Sequence, residues 1–152
     1  MIKIICVGKI KEKYWRDAIA EYLKRLSKYT KATIIEVEDE GSEDRLRVLE
    51  KEKERILKNI KPHNFVISLD IEGETFDSLS LSNKIRGLLT EGYSDIVFII
   101  GGSYGLHDDI KNNSDARLSF SKLTFPHQLF RIMLLEQIYR SFKIINNETY
   151  HK

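Results

Sequence analysis

Residues 95–105 read Asp-Ile-Val-Phe-Ile-Ile-Gly-Gly-Ser-Tyr-Gly, and this stretch decides the fold. Five consecutive apolar residues are hydrophobic on both faces of an extended chain, which is typical of a strand inside a parallel sheet. The glycines that follow allow a ligand to approach main-chain amides that a Cβ would shield. The spacing of Gly101, Gly102 and Gly105 matches neither the dinucleotide-binding nor the P-loop pattern, so those two phosphate-binding mechanisms are not indicated.

On both sides of this stretch, runs of strand character alternate with helical periodicity. The predicted strands are 2–7, 32–37, 65–70, 96–100 and 117–121, and the predicted helices are 15–26, 46–60, 81–89, 106–111 and 126–144. Strands separated by helices favour a parallel sheet with right-handed crossovers. We therefore predict the α/β class, with a single domain over residues 1–152.

The second predicted helix has one marked face and one charged face. The marked face consists of Leu46, Leu49, Lys53, Ile56, Leu57 and Ile60. The other face is rich in Glu, Lys and Arg, and we interpret these charges as solvated, with i, i+4 pairs.

Composition limits the range of partners and compartments. The 25 Lys and Arg residues against 23 Asp and Glu give a net charge of only +2, so a polyanion would have to bind a local patch. Cys6 is the single cysteine, which excludes an intramolecular disulfide and favours a reducing compartment. Its place in an apolar run predicts that the side chain is a small buried hydrophobe. The chain opens on a strand and has no apolar run of membrane-spanning length, so we expect a cytoplasmic protein without membrane contact.

The last predicted helix is apolar around nearly its whole circumference. Its apolar residues are Leu129, Phe130, Ile132, Met133, Leu134, Leu135, Ile138 and Phe142. A helix that covers one face of a sheet needs only one apolar stripe. Because a chain of this size has few other elements to cover the outer side, we predict a homodimer with a two-fold interface on this helix. The alternative is a central helix buried on all sides within one subunit, which is harder to build from 152 residues.

Several separated motifs together resemble one enzyme family. They are Ile-Lys-Ile-Ile-Cys-Val-Gly-Lys at 2–9, a predicted turn Leu-Asp-Ile-Glu-Gly at 69–73, Gly-Gly-x-x-Gly-Leu at 101–106, Leu-Ser-x-Ser-x-Leu-Thr-x-Pro-His at 118–127, Glu-Gln-Ile-Tyr-Arg at 136–140 and Tyr-His-Lys at 150–152. In order and spacing the chain resembles the large-subunit ribosomal RNA methyltransferase H family over its whole length. That family belongs to the SPOUT methyltransferases, so the resemblance implies an α/β fold with a C-terminal trefoil knot.

The resemblance also implies a site for S-adenosylmethionine among three loops. Carried over by motif, the cofactor-binding residues are Leu69, Gly101, Gly102, Gly105, Phe120, Ser121, Lys122, Leu123, Thr124 and Phe125. Apolar side chains at 69, 123 and 125 suit the walls of an adenine pocket. Two structural alternatives stay open: Leu69 and Leu123 as ordinary core, and Thr124 as a helix cap.

The reaction implied by the resemblance is methylation of N3 of a pseudouridine in 23S ribosomal RNA, within the ribosome. In the family the C-terminal helix helps to form the dimer, and the active site lies at the subunit boundary. The tail would therefore reach toward a methyl donor, either that of its own subunit or that of the partner subunit. The sulfonium already provides the leaving group, and no residue cluster has metal-ligand spacing, so we expect no metal.

The predicted catalytic residues are Tyr150, His151 and Arg140. His151 is the candidate for removing the imide proton, because histidine is the side chain most suited to acid-base work near neutral pH, and Tyr150 can hydrogen-bond to or stack on the base. Arg140 would bind phosphate, as would Lys152, although single cations are often only solvated. His127 is the rival histidine, with a structural role at a helix start as its alternative. Position 149 is threonine where many relatives have proline, which favours a looser tail.

Other functions remain consistent with the sequence. One is a SPOUT methyltransferase that acts on another RNA, such as transfer RNA. A second is a noncatalytic ribosome-binding module with the same fold. The third is a flavodoxin-like enzyme, which the alternating pattern alone would allow and which needs neither a dimer nor RNA.

Overall fold

The computed structural model describes residues 1–152 as five strands that alternate with five helices. The strands are β1 (Ile2–Val7), β2 (Ala32–Val37), β3 (Phe65–Thr75), β4 (Ile96–Ile100) and β5 (Ala116–Ser119). The helices are α1 (Lys13–Leu26), α2 (Arg45–Leu57), α3 (Ser78–Thr90), α4 (Asp108–Asn113) and α5 (His127–Ile145). The predicted α/β class is confirmed.

The strands form one parallel sheet in the order β2-β1-β4-β3-β5. β4 is the central strand and all five of its residues are buried, as its apolar run predicts. Because every strand points the same way, the loops that follow β1, β4 and β5 emerge at one edge of the sheet, the carboxyl edge. The trefoil knot stays a prediction.

The sheet separates two hydrophobic cores. A core of 17 buried residues lies under α1, α3 and α5, and a core of nine lies under α2 and α4. Alternate residues of β4 enter the two cores, and each buried aliphatic side chain contributes about 1.5–3 kcal/mol to stability. Cys6 is buried in the larger core, and this burial raises the pKa of its thiol to about 12, so the side chain behaves as a small hydrophobe.

Helix α2 is shorter than predicted and turns a different face to the sheet. Asp44 caps it by accepting the Leu46 N–H at 3.1 Å, and the helix ends at Leu57 rather than at residue 60. Leu46 and Leu57 are exposed, although both were predicted to mark the apolar face. The buried stripe is Val48, Glu52 and Ile56. These three residues are spaced i, i+4 and so lie on one face of the helix, which packs on the sheet. Leu46 and Leu57 lie on the solvent side.

The turn predicted at 69–73 is wrong, because this segment belongs to β3. The pairing of β3 with β5 shifts between Leu69 and Glu74, so residues 70–73 form a bulge in a continuing strand. Gly73 makes the close approach possible, since a Cβ there would lie 2.8 Å from the Arg117 carbonyl carbon. The bulge directs residues 70–72 outward at the carboxyl edge.

Helix α5 lies between α1 and α3 on one face of the sheet. Its buried residues are Arg131, Leu134, Leu135, Ile138, Ser141 and Phe142. Much of its apolar surface is therefore covered within one chain, whereas Leu129, Ile132 and Met133 stay partly exposed. No helix of the chain combines the length and hydrophobicity needed to cross a membrane.

Candidate active site

A cavity of about 670 Å³ opens at the carboxyl edge, and we call it the loop cavity. The ends of β3, β4 and β5 and the loops that follow the last two strands enclose it. Nine of the ten predicted cofactor residues line it: Leu69, Gly101, Gly102, Gly105, Phe120, Ser121, Leu123, Thr124 and Phe125. Lys122 is the exception, because it is exposed and takes no part in the lining. Residues far apart in sequence therefore share one concave site.

The glycine loop after β4 folds back on itself. The Gly105 N–H donates to the Gly102 carbonyl at 3.0 Å, and Gly105 has a φ of +78°, a conformation that favours glycine. A Cβ on Gly101 would overlap the backbone carbonyl of Gly105. The fold of this turn therefore requires glycines at these positions. This structural requirement exists in addition to the ligand approach that the sequence predicts.

A buried carboxyl group lies behind this loop. Glu52 of α2 is 4% exposed, and a Cβ on Gly102 would lie 3.1 Å from its Oε2. Oε1 accepts the Glu40 N–H at 3.2 Å, whereas Oε2 has no hydrogen-bond partner. Burial raises the pKa of Glu52. Sequence reasoning missed this residue because it treated the acidic residues of α2 as solvated, although the spacing with Val48 and Ile56 marks it as inward-facing.

Aromatic side chains form the wall of the loop cavity next to α5. The Phe130 ring centroid lies 4.9 Å from that of Phe120 and 6.3 Å from that of Phe125. These contacts fix the loop between β5 and α5 against the helix. The same loop turns at Ser121, whose Oγ accepts the Leu123 N–H at 3.0 Å. Leu123 itself is 68% exposed at the cavity, which does not fit the alternative that it is ordinary core.

The start of helix α5 lies next to this wall and decides whether Thr124 is a helix cap. Helix α5 begins at His127 with Pro126 as its N-cap, and the cap makes no side-chain hydrogen bond. Thr124 is therefore not the helix cap. His127 lines the loop cavity, and burial, with a smaller contribution from the Arg131 charge, lowers its pKa. The cavity therefore favours the neutral imidazole over the charged form.

The opposite side of the loop cavity is polar. Asp70 accepts a hydrogen bond from Arg117 Nε at 3.0 Å. Burial tends to raise the pKa of Asp70, but Arg117 and the Glu72 N–H outweigh it and the pKa is lowered. Lys111 and His107 complete this side, and His107 Nδ1 also accepts the Asp109 N–H at 2.9 Å as the cap of α4. The loop cavity therefore has one aromatic and one charged side.

A second cavity, of about 530 Å³, lies between α3 and α5, and we call it the tail cavity. It shares Leu118 and Phe120 with the loop cavity, so the two are neighbours. His151 and Glu136 line it. No group of three or more His, Cys, Asp or Glu side chains in the chain is arranged to hold a metal ion.

The three predicted catalytic residues meet around Glu136 in what we call the tail cluster: Glu136, Arg140, Tyr150 and His151. The Tyr150 hydroxyl donates to Glu136 Oε1 at 3.1 Å, and the Arg140 guanidinium lies 4.6 Å from the Tyr150 ring centroid. Arg140 Nη1 is 3.3 Å from His151 Nδ1. Burial and the Glu136 carboxylate raise the pKa of Tyr150. The structure thus brings together the three residues predicted to be catalytic, and their catalytic role stays a prediction.

The tail cluster stands apart from the loop cavity of its own chain. None of Arg140, Tyr150 and His151 lines that cavity. Arg140 is also bound to Glu136 by an ion pair of 2.8 Å, so it is not the free phosphate ligand suggested by the sequence. The tail is further held by Tyr29, whose hydroxyl donates to Glu148 Oε1 at 2.8 Å. Within one chain, nine predicted cofactor residues line the loop cavity, whereas His151 is the one predicted catalytic residue that lines the tail cavity, and Arg140 and Tyr150 lie next to it in the tail cluster.

Comparisons with known proteins agree with this architecture. The profile of the family described as "Predicted SPOUT methyltransferase" matches residues 1–151. A protein of Methanococcus maripaludis named putative ribosomal RNA large subunit methyltransferase H is 59% identical over 157 residues, covering 99% of each chain. The solved structure of a probable methylase family protein from Haemophilus influenzae superimposes with a TM-score of 0.57 at 12% identity, over 99% of this chain and 70% of that one, and shows a shared fold.

Proposed function

The chain belongs to the SPOUT methyltransferase family, and from that premise we propose that it methylates N3 of a pseudouridine in 23S ribosomal RNA, with S-adenosylmethionine as methyl donor. The observation that carries the proposal is the convergence of nine predicted cofactor residues on the loop cavity. The name of the relative at 59% identity supports a ribosomal RNA substrate. The N3 position and the pseudouridine rest on the family resemblance.

The loop cavity fits the proposed cofactor. Its volume of about 670 Å³ falls within the range of roughly 300–1,000 Å³ typical of small-molecule sites. Leu69, Leu123 and Phe125 offer apolar walls to a purine ring, and the glycine loop presents main-chain N–H and C=O groups. We propose Leu69, Gly101, Gly102, Gly105 and residues 120–125 as the cofactor-binding set, with Lys122 contributing at most its backbone.

The proposed chemistry needs little from the protein beyond alignment and proton removal. When bound, S-adenosylmethionine supplies a methyl group on a positively charged sulfur, which leaves as a neutral thioether. The chain must hold the base so that N3 faces that methyl group, and must accept the imide proton. We propose His151 as the proton acceptor and Tyr150 as the residue that positions the base. Arg140 holds both residues in place and orients the tail.

We further propose a homodimer in which the tail of one subunit completes the site of the other. The support is the separation of the tail cluster from the loop cavity of its own chain. Leu129, Ile132 and Met133 of α5 provide a partly exposed apolar strip for the interface. The proposal includes a single domain, a cytoplasmic location, and catalysis without a metal.

The test uses the purified protein, S-adenosylmethionine labelled in its methyl group, and ribosomes from cells that lack the enzyme. We expect label in 23S RNA at one pseudouridine, and the modified nucleoside is identified by mass spectrometry after digestion. If label appeared only in transfer RNA, the proposed 23S RNA substrate would be wrong, but the proposed methyltransferase activity would stand. Cofactor binding without transfer to any RNA would indicate the noncatalytic module.

A further inference from the structure

The loop between β1 and α1 and the first turn of α1 concentrate positive charge. Residues 9–16 read Lys-Ile-Lys-Glu-Lys-Tyr-Trp-Arg, with four cations against one carboxylate, a net charge of +3. The entire chain carries only +2. If the protein binds a polyanion, a local patch of this kind is what the low net charge requires. We call residues 9–16 the basic loop.

The cations of the basic loop are available to a partner. Lys9, Lys11 and Arg16 are exposed, and none of the three forms an ion pair within the chain. Lys13 differs from them, because its Nζ lies 2.5 Å from an oxygen of Asp17. By contrast, Lys111 in the loop cavity, Arg117 beside it and Arg140 in the tail cluster are paired with carboxylates of the same chain.

The basic loop also presents an aromatic surface. Tyr14 is 65% exposed, and its ring centroid lies 5.0 Å from that of Trp15, at an interplanar angle of 57°. A large exposed aromatic ring among unpaired cations is the combination that binds single-stranded nucleic acid, where bases stack on rings and cations contact phosphates.

The basic loop lies beside the loop cavity. It follows β1, whose Val7 side chain would be 3.0 Å from a Cβ placed on Gly102 of the glycine loop. Its start is fixed by the buried Arg131, which donates to the Gly8 carbonyl at 2.8 Å and lies one turn of α5 after the cavity residue His127. Buried Ile10 anchors the loop to the sheet. The cations are therefore displayed from a fixed base at the carboxyl edge.

We propose that the basic loop is an RNA-docking surface, in which Lys9, Lys11 and Arg16 contact phosphates and Tyr14 stacks on an unpaired base near the target nucleotide. This inference rests on the proposed function, which provides an RNA substrate at the neighbouring cavity. An anionic membrane would match the charge alone, but the exposed ring and the position beside the catalytic edge favour RNA.

The test neutralises the surface and compares it with a matched change elsewhere. The variant Lys9→Gln/Lys11→Gln/Arg16→Gln removes three charges, and so does the control Lys24→Gln/Lys58→Gln/Lys61→Gln, whose residues are exposed near the opposite edge. Affinity for ribosomes and for a 23S RNA stem-loop is measured without turnover at several salt concentrations. We expect at least about tenfold weaker binding and a salt slope smaller by about two to three for the basic-loop variant alone.

Two further measurements separate docking from folding and catalysis. Affinity for S-adenosylmethionine should be unchanged in the basic-loop variant, whereas KM for ribosomes rises and kcat at saturating ribosome is retained. Tyr14→Ala should weaken RNA binding several-fold, and Tyr14→Phe should restore it because the stacking surface is kept. Vesicles containing an anionic phospholipid provide the membrane comparison.

The possible outcomes are distinct. Equal RNA affinity in the basic-loop variant and the wild type, or an equal loss in the control, would overturn the docking surface and leave the proposed function intact. Binding to anionic vesicles but not to RNA would also overturn it. A wild type that binds RNA through the basic loop but transfers no methyl group would overturn the proposed activity and keep the surface.

Discussion

The loop cavity and the tail cavity share a wall at Leu118 and Phe120 but are built in different ways. The loop cavity is formed by strand ends and a glycine loop whose backbone turns are fixed by the fold. The tail cavity receives its polar groups from the start of α3, from α5 and from His151 near the end of the chain. One cavity follows from the topology of the sheet, whereas the other depends on where a short tail is placed.

Under the proposed function, this difference separates cofactor binding from chemistry. Main-chain groups of a buried parallel sheet provide a site that a single chain can complete. The groups able to handle a proton, Tyr150 and His151, are held by Glu136 and Arg140 outside that site. The two functions should therefore fail independently when each cavity is damaged.

Removal of residues 150–152 should have the largest effect on the reaction. We expect methyl transfer to ribosomes to fall by about 10²-fold or more, because the proton acceptor and the base-positioning residue are lost together. Affinity for S-adenosylmethionine by calorimetry, and dimer mass by light scattering, should stay nearly unchanged, since the tail adds little core.

Single substitutions divide that loss between the two residues. His151→Ala should lower kcat at saturating ribosome, whereas Tyr150→Phe, which removes the hydroxyl bonded to Glu136 but keeps the ring, should have a smaller effect. If the truncated protein methylates ribosomes at the full rate, the tail has no catalytic part, and the proton acceptor is His127 or water.

Gly101→Val should damage the loop cavity. A side chain at this position overlaps the Gly105 backbone, so the glycine loop cannot keep its turn and S-adenosylmethionine binding should become undetectable by calorimetry. The matched control is Gly41→Val, in a surface loop with open space around the glycine, which should bind the cofactor normally. Unchanged affinity in Gly101→Val would remove the glycine loop from the cofactor site.

Two neighbouring residues of α5 test the proposed interface. Met133 is partly exposed beside the tail cavity, so Met133→Glu should convert the dimer into folded monomers. Leu134 is fully buried against the sheet, so Leu134→Glu should unfold the chain by burying an unpaired charge. Light scattering with circular dichroism distinguishes the two results, and a wild type that is monomeric at micromolar concentration would rule out the shared site.

Glu52→Gln should have the smallest effect, on stability rather than on chemistry. The pKa of Glu52 is raised in the folded state, so its stabilising contribution is present below the ordinary pKa near 4.3 and is lost as pH rises through the raised value. At pH 7 the variant should melt about 2–4 °C higher than the wild type, and the difference should vanish at pH 4. A pH-independent difference in Tm would show that Glu52 does not ionise within this range.

The sequence predicts the sheet better than the surfaces around it. The apolar runs predict β1 and β4 with their observed bounds, because continuous apolar runs are typical of strands that a parallel sheet buries on both faces. The face of α2 was predicted only in part, because Ile56 is buried as expected but Leu46 and Leu57 are exposed, and tertiary packing buries Val48 and Glu52 instead.

The candidate site shows the same limit. The residues of the loop cavity were identified from motifs that adjoin strand ends, where position follows from topology. The β3 bulge at 70–73 and the role of Glu136 as the centre of the tail cluster were missed, since both depend on contacts between residues far apart in sequence.

The central claim is that the tail of one subunit serves the loop cavity of the other, and mixed dimers test it most directly. Gly101→Val subunits, which keep the tail, are mixed with subunits that lack residues 150–152, which keep the loop cavity, and exchange is verified by mass. Each parent should be inactive, and an equal mixture should transfer methyl groups at about a quarter of the wild-type rate, because half of the dimers then contain one complete site. A mixture that forms mixed dimers and stays as inactive as its parents would contradict the claim.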